Sequence, residues 1–252
     1  MLGSAVPQSS YYWSIAIAET SIPDPAAAVA EVPVWRHRID LGGGVVTPGT
    51  EDTAQELARL RVPARLDGER VLDIGCSDGF YSFECERRGA SVIALDDESS
   101  LLASGRNGFQ AAAAVLGSDV EYRIGDVHEL ERSDVGLFDT VLFINVLYHL
   151  KSPLLALERI ASVTAPGGRL ILKTYYRNDV RIWFRGRPYG FDIDRRPKWW
   201  FFPNTELGGD PTNWFAPNVV ALEGALRVSG WTDIERIGTH GDRLYYHARR
   251  ES

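Results

Sequence analysis

From residue 70 onward the chain alternates short apolar runs with helical stretches, and that rhythm restricts the fold more than any other feature. Arg70-Val71-Leu72-Asp73-Ile74 reads as a strand, followed by a glycine-bearing turn and a helix to about Arg88. Ser91–Leu95 is a second strand, ended by Asp96-Asp97; a helix through the alanine run 111–114 leads to the strand Val120–Ile124. Phe138–Phe143 is almost wholly apolar, as a central strand covered on both faces must be. Pro153 opens the next helix at its favoured first-turn position, Pro166-Gly167-Gly168 ends it, and Arg169–Lys173 is the fifth strand. Strands alternating with helices imply right-handed crossovers and a doubly wound, mostly parallel α/β sheet.

The flanks behave differently. Residues 1–34 lack periodicity and read as a mobile or loosely helical lead-in; Trp35–Gly49 mixes aromatic, polar and turn residues, and Thr50-Glu51-Asp52-Thr53 starts a helix. Residues 174–215 form an insertion that holds four of the seven tryptophans, with arginines interleaved among its aromatics. A helix resumes at Asn218 and closes at Gly230, and the strands Thr232–Ile237 and Arg243–Arg249 finish the chain as an antiparallel pair. The expected organisation is a lead-in with a lid over 1–67, and a ligand-binding domain over 68–250 that carries the insertion.

Composition narrows the function. The chain has 252 residues and a formal charge of −7, which argues against a protein that grips nucleic acid mainly through phosphates. Two cysteines, Cys76 and Cys85, are too few for a disulfide scaffold and are expected to pack as small apolar groups. No apolar run approaches the roughly 18 residues of a membrane span, and no secretory signal is visible, so a cytoplasmic setting is expected.

The turn after the first strand carries the chemistry. Gly75 and Gly79 let the backbone approach a ligand, and the acids Asp73 and Asp78 flank them. Such acids suit a ligand bearing an ammonium and a sulfonium better than a pyrophosphate. Asp96, at the end of the second strand, is placed to accept hydrogen bonds from ribose hydroxyls. Asp126 is placed to meet an adenine amino group, and Val127 to pack on its ring.

These residues resemble the class I S-adenosylmethionine-dependent methyltransferases over about residues 68–250. The resemblance implies a Rossmann-like seven-stranded sheet of order 3-2-1-4-5-7-6, with strand seven antiparallel and the aromatic-rich insertion after strand five. It implies S-adenosyl-L-methionine as cofactor, held by Asp73, Gly75, Cys76, Ser77, Asp78, Gly79, Phe80, Tyr81, Asp96, Asp97, Asp126, Val127 and Asn145, with Trp35 from the lid. A narrower resemblance, in Asn145–Pro153 together with the Pro217–Leu226 helix start and Trp35–Gly49, is to the group that includes the tRNA wobble-uridine (5-oxyacetate type) methyltransferases and their small-molecule relatives. The short lead-in, the acidity of the chain, and Pro211 where an arginine for a carboxylated cofactor is sought favour ordinary S-adenosylmethionine. They also favour a small-molecule acceptor, methylated on oxygen in secondary metabolism, with tRNA as the alternative and a catalytically silent cofactor-binding subunit as a third reading.

A sulfonium is already activated, so the reaction is in-line displacement driven by orientation, with a base where the acceptor is an alcohol or phenol. His149, at the edge of the fourth strand, is the first candidate base, with Tyr148 beside it and His37 in the lid. His128, His240 and His247 read as surface residues, and no metal ligand set is expected. The insertion serves as a second small core or as the acceptor pocket. On the second use Tyr175, Tyr176, Arg181, Trp199, Trp200, Asn213 and Trp214 bind substrate, with Asn218 nearby.

Overall fold

The computed structural model describes residues 13–14, 22–97, 105–191 and 195–252. Most of the expected lead-in therefore lies outside the described residues. The elements run β1 (Trp13–Ser14), α1 (Pro25–Glu31), α2 (Thr53–Leu60), β2 (Arg70–Ile74), α3 (Phe80–Arg87), β3 (Ser91–Asp96), α4 (Gly105–Leu116) and β4 (Glu121–Ile124). Then follow α5 (Arg132–Val135), β5 (Phe138–Ile144), α6 (Pro153–Val163), β6 (Thr164–Tyr175), β7 (Val180–Phe184), β8 (Arg187–Phe191), β9 (Trp199–Phe201), β10 (Phe215–Pro217), α7 (Val219–Val228), β11 (Trp231–His240) and β12 (Arg243–Arg250).

The main sheet has the order β1-β4-β3-β2-β5-β6-β12-β11. Strands β4, β3, β2, β5 and β6 are parallel, whereas β12 is antiparallel to both β6 and β11. Seven of these strands give the expected order and the expected antiparallel last strand. The eighth, β1, pairs antiparallel with the edge strand β4 and was not anticipated. The insertion adds two ribbons, β7 with β8 and β9 with β10.

Local chemistry sets the boundaries. Asp52, within the expected helix start, caps α2 and accepts the Gln55 amide at 3.3 Å. Helix α6 starts at Pro153 as expected but stops at Val163, because Thr164 already pairs with Phe138 in the sheet and turns its hydroxyl back to the Ile160 carbonyl. Gly230, with φ +85°, takes the left-handed position just after α7.

Two apolar layers sandwich the sheet. One is built from Leu72, Leu95, Phe143, Leu157, Leu222 and Trp231 beneath α6 and α7. The other joins α3 and α4 to Val32, Trp35, Ile39 and Leu41, so the segment before the glycine turn shares a core with the domain. A buried charge cluster adds to this attachment. Glu56 of α2 meets Lys173 Nζ of β6 at 2.5 Å and accepts the Tyr245 hydroxyl of β12 at 3.0 Å. Burial alone would raise the Glu56 pKa, but Lys173, Arg59 and Tyr245 outweigh it and hold the carboxyl below its usual range.

Asn218 was expected near the acceptor, yet its side chain is consumed by the fold. It caps α7 by accepting the Ala221 amide at 2.9 Å, accepts the Lys198 amide at 3.1 Å, and donates to the Arg196 carbonyl at 2.9 Å. Asn218→Ala is expected to cost about 2 kcal/mol, roughly a cap plus one further net hydrogen bond. A reduced urea midpoint at unchanged m-value would register this loss.

Candidate active site

The carboxyl ends of β2, β3, β4 and β5 open on one edge of the sheet, the crevice where doubly wound folds bind ligands. At the centre is the Gly75–Gly79 turn. Gly75 has φ +73°, and a Cβ there would lie 2.3 Å from Val146 Cγ2. Gly79 has φ +89°, and a Cβ would lie 2.6 Å from both the Phe109 and Phe83 rings. Ser77 and Asn145 also hold positive φ, 53° and 62°, which costs energy in residues with a Cβ.

Asp96 organises the turn from the end of β3. One carboxylate oxygen accepts the Ser77 amide at 2.8 Å, and the other accepts the Asp97 amide at 3.0 Å. Asp97 itself is exposed. Cys76 is buried against this carboxylate, and burial with Asp96, Asp73 and Asp78 pushes its thiol well up, so it stays protonated. Burial likewise raises Cys85. Asp126 is exposed, caps the short turn Val127–Glu129 and bonds the His128 ring at 2.7 Å, while Val127 is buried beneath it. His128 and His247, read as surface residues, are both tethered: His128 to Asp126, and His247 Nε2 to the Leu60 carbonyl at 2.8 Å.

The two acids of the turn are engaged within the protein. Asp73 is 1% exposed and accepts the Ser82 hydroxyl at 2.6 Å; burial lifts its pKa to about 6 against the pull of that bond. Asp78, also 1% exposed, accepts the Arg36 and His37 backbone amides at 2.8 and 2.9 Å and bonds His37 Nδ1. The acid that sequence offered to a ligand ammonium thus fastens the segment before α2 to the glycine turn. Phe80 and Tyr81 continue this contact, their rings 5.9 and 5.3 Å from the His37 ring. Trp35 lies deeper than expected, 4% exposed in the core with its indole N–H on the Val29 carbonyl at 3.2 Å.

His149 stands in the short turn Leu147–His149 after β5. Its Nδ1 is 3.0 Å from both the Thr212 carbonyl and the Thr212 hydroxyl, and Nε2 has no partner among the described residues. Burial lowers its pKa, offset in part by the Thr212 bond and Asp210. The imidazole is therefore neutral at pH 7, with Nδ1–H donating to the Thr212 carbonyl and Nε2 a vacant acceptor. Arg36 and Arg243 both face it. Tyr148 is 3% exposed, packs edge-on to Tyr175 at 4.5 Å, and burial lifts its phenol to about 12. The Arg243 guanidinium lies 3.1 Å from the Tyr175 ring centre and 5.4 Å from that of Tyr148.

The insertion does two jobs. Tyr148, Tyr175, Phe202, Leu207 and Ala216 make a small core, with Trp200 against it. Asn213 is buried there; its amide donates to the Leu207 carbonyl at 2.7 Å and its Oδ1 has no partner among the described residues. Trp199 and Trp214 face elsewhere. Trp199 joins Pro153, Leu154, Leu155 and Phe215 around an apolar groove of about 300 Å³, and Trp214 stacks on Phe201 under the Lys151 ammonium. Tyr176 is a correction. Strand alternation sends it to the opposite face from Tyr175, against the core beneath α7. The side chain of Arg181 lies outside the described residues. Sequence reasoning missed Arg36, Glu51, Thr212 and Arg243; only the position of Arg36 and Glu51 at the two ends of the lid hinted at a role.

Residues 72–172 match the profile described as a methyltransferase domain, which spans β2 to β6 and every turn above. Over this stretch the chain is similar to a methyltransferase domain, and its sheet order is the one expected of an S-adenosylmethionine-dependent methyltransferase fold. The domain is similar to a ubiquinone biosynthesis O-methyltransferase of Xanthomonas euvesicatoria pv. vesicatoria (strain 85-10), 37% identical over 112 residues. That alignment covers 44% of this chain and 45% of the relative, so the chain spans just under half the length of the curated relatives it matches. In fold it is similar to the N-terminal domain of EvdMO1, solved with S-adenosylhomocysteine and D-fucose, at TM-score 0.61 and 22% identity over 90% of this chain and 95% of that one. It is also similar to an S-adenosylmethionine-dependent methyltransferase from Mesorhizobium loti, at TM-score 0.57 and 22% identity over 79% of this chain and 99% of that one.

The cofactor of such a domain is S-adenosylmethionine, and the residues present fit it. Its ribose hydroxyls require an acceptor, which the Asp96 carboxylate at the end of β3 offers, and its ammonium requires another, which the buried Asn145 Oδ1, without a partner among the described residues, offers.

Proposed function

We propose that this chain transfers a methyl group from S-adenosylmethionine to a hydroxyl oxygen of a small molecule. The observation that carries the reading is His149: neutral, clamped at Nδ1 by Thr212, and open at Nε2 on the same edge as the glycine turn. When bound, the cofactor supplies an activated methyl group on sulfonium. Its ribose is held by Asp96, its adenine by Asp126 and Val127, and its amino acid beside Gly75, Asn145 and the first turn of α3. His149 Nε2 takes the proton of the attacking hydroxyl, which contributes about 10²–10⁴-fold in reactions of this kind. Tyr148, Tyr175 and the Arg243 guanidinium wall the acceptor and orient it in line with the methyl group. The segment Trp35–Gly49, locked by Asp78, roofs the crevice and excludes water. The naming of the curated relatives as O-methyltransferases supports oxygen as the atom modified and a biosynthetic setting.

The reading carries a cytoplasmic location; among the described residues no helix is long and apolar enough to cross a membrane. A tRNA acceptor is the second reading. It draws on the β7–β8 hairpin, where Phe184, Tyr189 and Phe191 are exposed and Arg185 lies over the Phe184 ring, a surface on which bases can stack. A steep loss of tRNA retention with rising salt would favour it.

Calorimetric titration with S-adenosylhomocysteine tests the assignment. The protein is expected to bind, and Asp96→Ala to bind about 10–100-fold more weakly, the loss of one charged hydrogen-bonding group. Equal affinity of the two proteins would remove Asp96 from the site.

A further inference from the structure

The lid residue Glu51 has no assigned part in this chemistry, yet it is held with some precision. Its amide donates to the Arg36 carbonyl at 3.1 Å, and its Oε1 meets the Arg36 guanidinium at 2.7 Å. Its Oε2 is buried and has no hydrogen-bond partner among the described residues. On the other side of the His37 ring is Tyr81, 4% exposed, whose hydroxyl is likewise buried and has no hydrogen-bond partner among the described residues. His37 completes the group. Its Nε2 lies 3.9 Å from Glu51 Oε2, beyond hydrogen-bonding reach, while its ring meets Tyr81 edge-on at 5.3 Å. Leaving such groups unpaired is costly, about 1–3 kcal/mol for each, and native folds rarely tolerate two around one ring without a ligand.

The position is at the acceptor side. The Arg36 guanidinium that binds Glu51 also faces Tyr148 and Tyr81, and it is one of the two arginines beside His149. We propose that Glu51 and Tyr81 bind a second hydroxyl of the acceptor, so that the substrate is a polyhydroxylated molecule and not a simple alcohol or phenol. This rests on the methyltransferase reading above.

The chemistry of the pair selects a hydroxyl over the other polar groups. Glu51 Oε2 needs a donor. The Tyr81 phenol, raised by burial and by Glu51, Glu56 and Asp73, keeps its proton and needs an acceptor. A hydroxyl is both at once. An ammonium would satisfy Glu51 and leave the Tyr81 proton unmatched, and a carboxylate or phosphate would meet three acids.

The test compares binding of matched probes, cis-1,2-cyclohexanediol with cyclohexanol and catechol with phenol, to the full chain saturated with S-adenosylhomocysteine, read by saturation-transfer NMR and calorimetry. Each diol is expected to bind at least tenfold more tightly than its mono-hydroxyl partner. In Glu51→Gln and in Tyr81→Phe that advantage is expected to fall below twofold, with affinity for S-adenosylhomocysteine unchanged in Glu51→Gln. Equal binding of diol and mono-ol, failure of both diols to bind, or persistence of the advantage in both variants overturns the proposal. A variant that loses S-adenosylhomocysteine while keeping the diol also overturns it, by assigning the pair to the cofactor. If the unaltered protein does not bind S-adenosylhomocysteine, the methyltransferase reading fails instead, and the same diol comparison on the free protein decides this one.

Discussion

His149→Ala is expected to lower kcat by about 10²–10³-fold while leaving the affinity for S-adenosylhomocysteine within twofold of the unaltered protein. The turn that carries His149 meets the glycine turn at Val146, while the imidazole itself bonds Thr212, so its loss removes a proton acceptor without opening the ribose or adenine sites. The pH profile separates a base from a wall. In the intact protein the pKa of His149 lies below the ordinary imidazole value because burial disfavours the cation. Turnover is therefore expected to be flat around neutrality and to fall as pH drops through that lowered value, when Nε2 takes a proton. The variant is expected to lose this acid limb, and its residual rate to rise with hydroxide. A limb that survives the substitution would move the base to another group, with His37 next in line. The same shift gives a stability signature. The unfolded chain binds the proton more readily than the folded one, so the contribution of His149 is present above about pH 6.5 and declines as pH falls below it.

Asp78→Ala is expected to destabilise the fold by about 3–5 kcal/mol. The substitution strands two backbone amides, those of Arg36 and His37, and removes the partner of the His37 ring, all in a place that water reaches poorly. At about 2–4 °C per kcal/mol for a chain of this size, Tm should fall by roughly 10 °C. The damage should also be local. Hydrogen exchange at residues 36 and 37 should accelerate beyond the global change, and the exposed Gly42-Gly43-Gly44 run should become the first site of proteolysis. A variant as stable as the parent, with residues 36 and 37 still protected, would show that the lid is held by its apolar contacts alone.

The strand–helix rhythm, the helix starts at Pro153 and Asn218, and the antiparallel closing pair were legible because each is written in a local pattern, and period and helix-start chemistry need only a few neighbouring residues. The sheet order came from resemblance, since pairing between distant strands leaves no local trace. Asp78 shows where such reading stops. Placed between two glycines it resembles a ligand-facing acid, yet its partners lie 41 and 42 residues earlier, and no window of sequence contains both. Glu51 was read as an early helix acid for a similar reason. Its neighbours Asp52 and Thr53 do start α2, while its own carboxylate turns back to Arg36. Tyr176 stands next to Tyr175 at the start of the insertion expected to line the acceptor pocket, and strand alternation separates the two rings. Arg243 escaped notice because its partners, Tyr148 and Tyr175, reach it only through the pairing of β6 with β12.

The contact of Gly75 with Val146 has a mechanical consequence. Val146 caps the short turn that carries His149, and at Gly75 it leaves no room even for a methyl group. The cradle for the methyl donor and the mount of the imidazole are thus geared together, tooth against gap. Enlarging Gly75 alone should jam that gear, whereas shaving Val146 in the same molecule should free it, so the two positions are expected to change only as a pair.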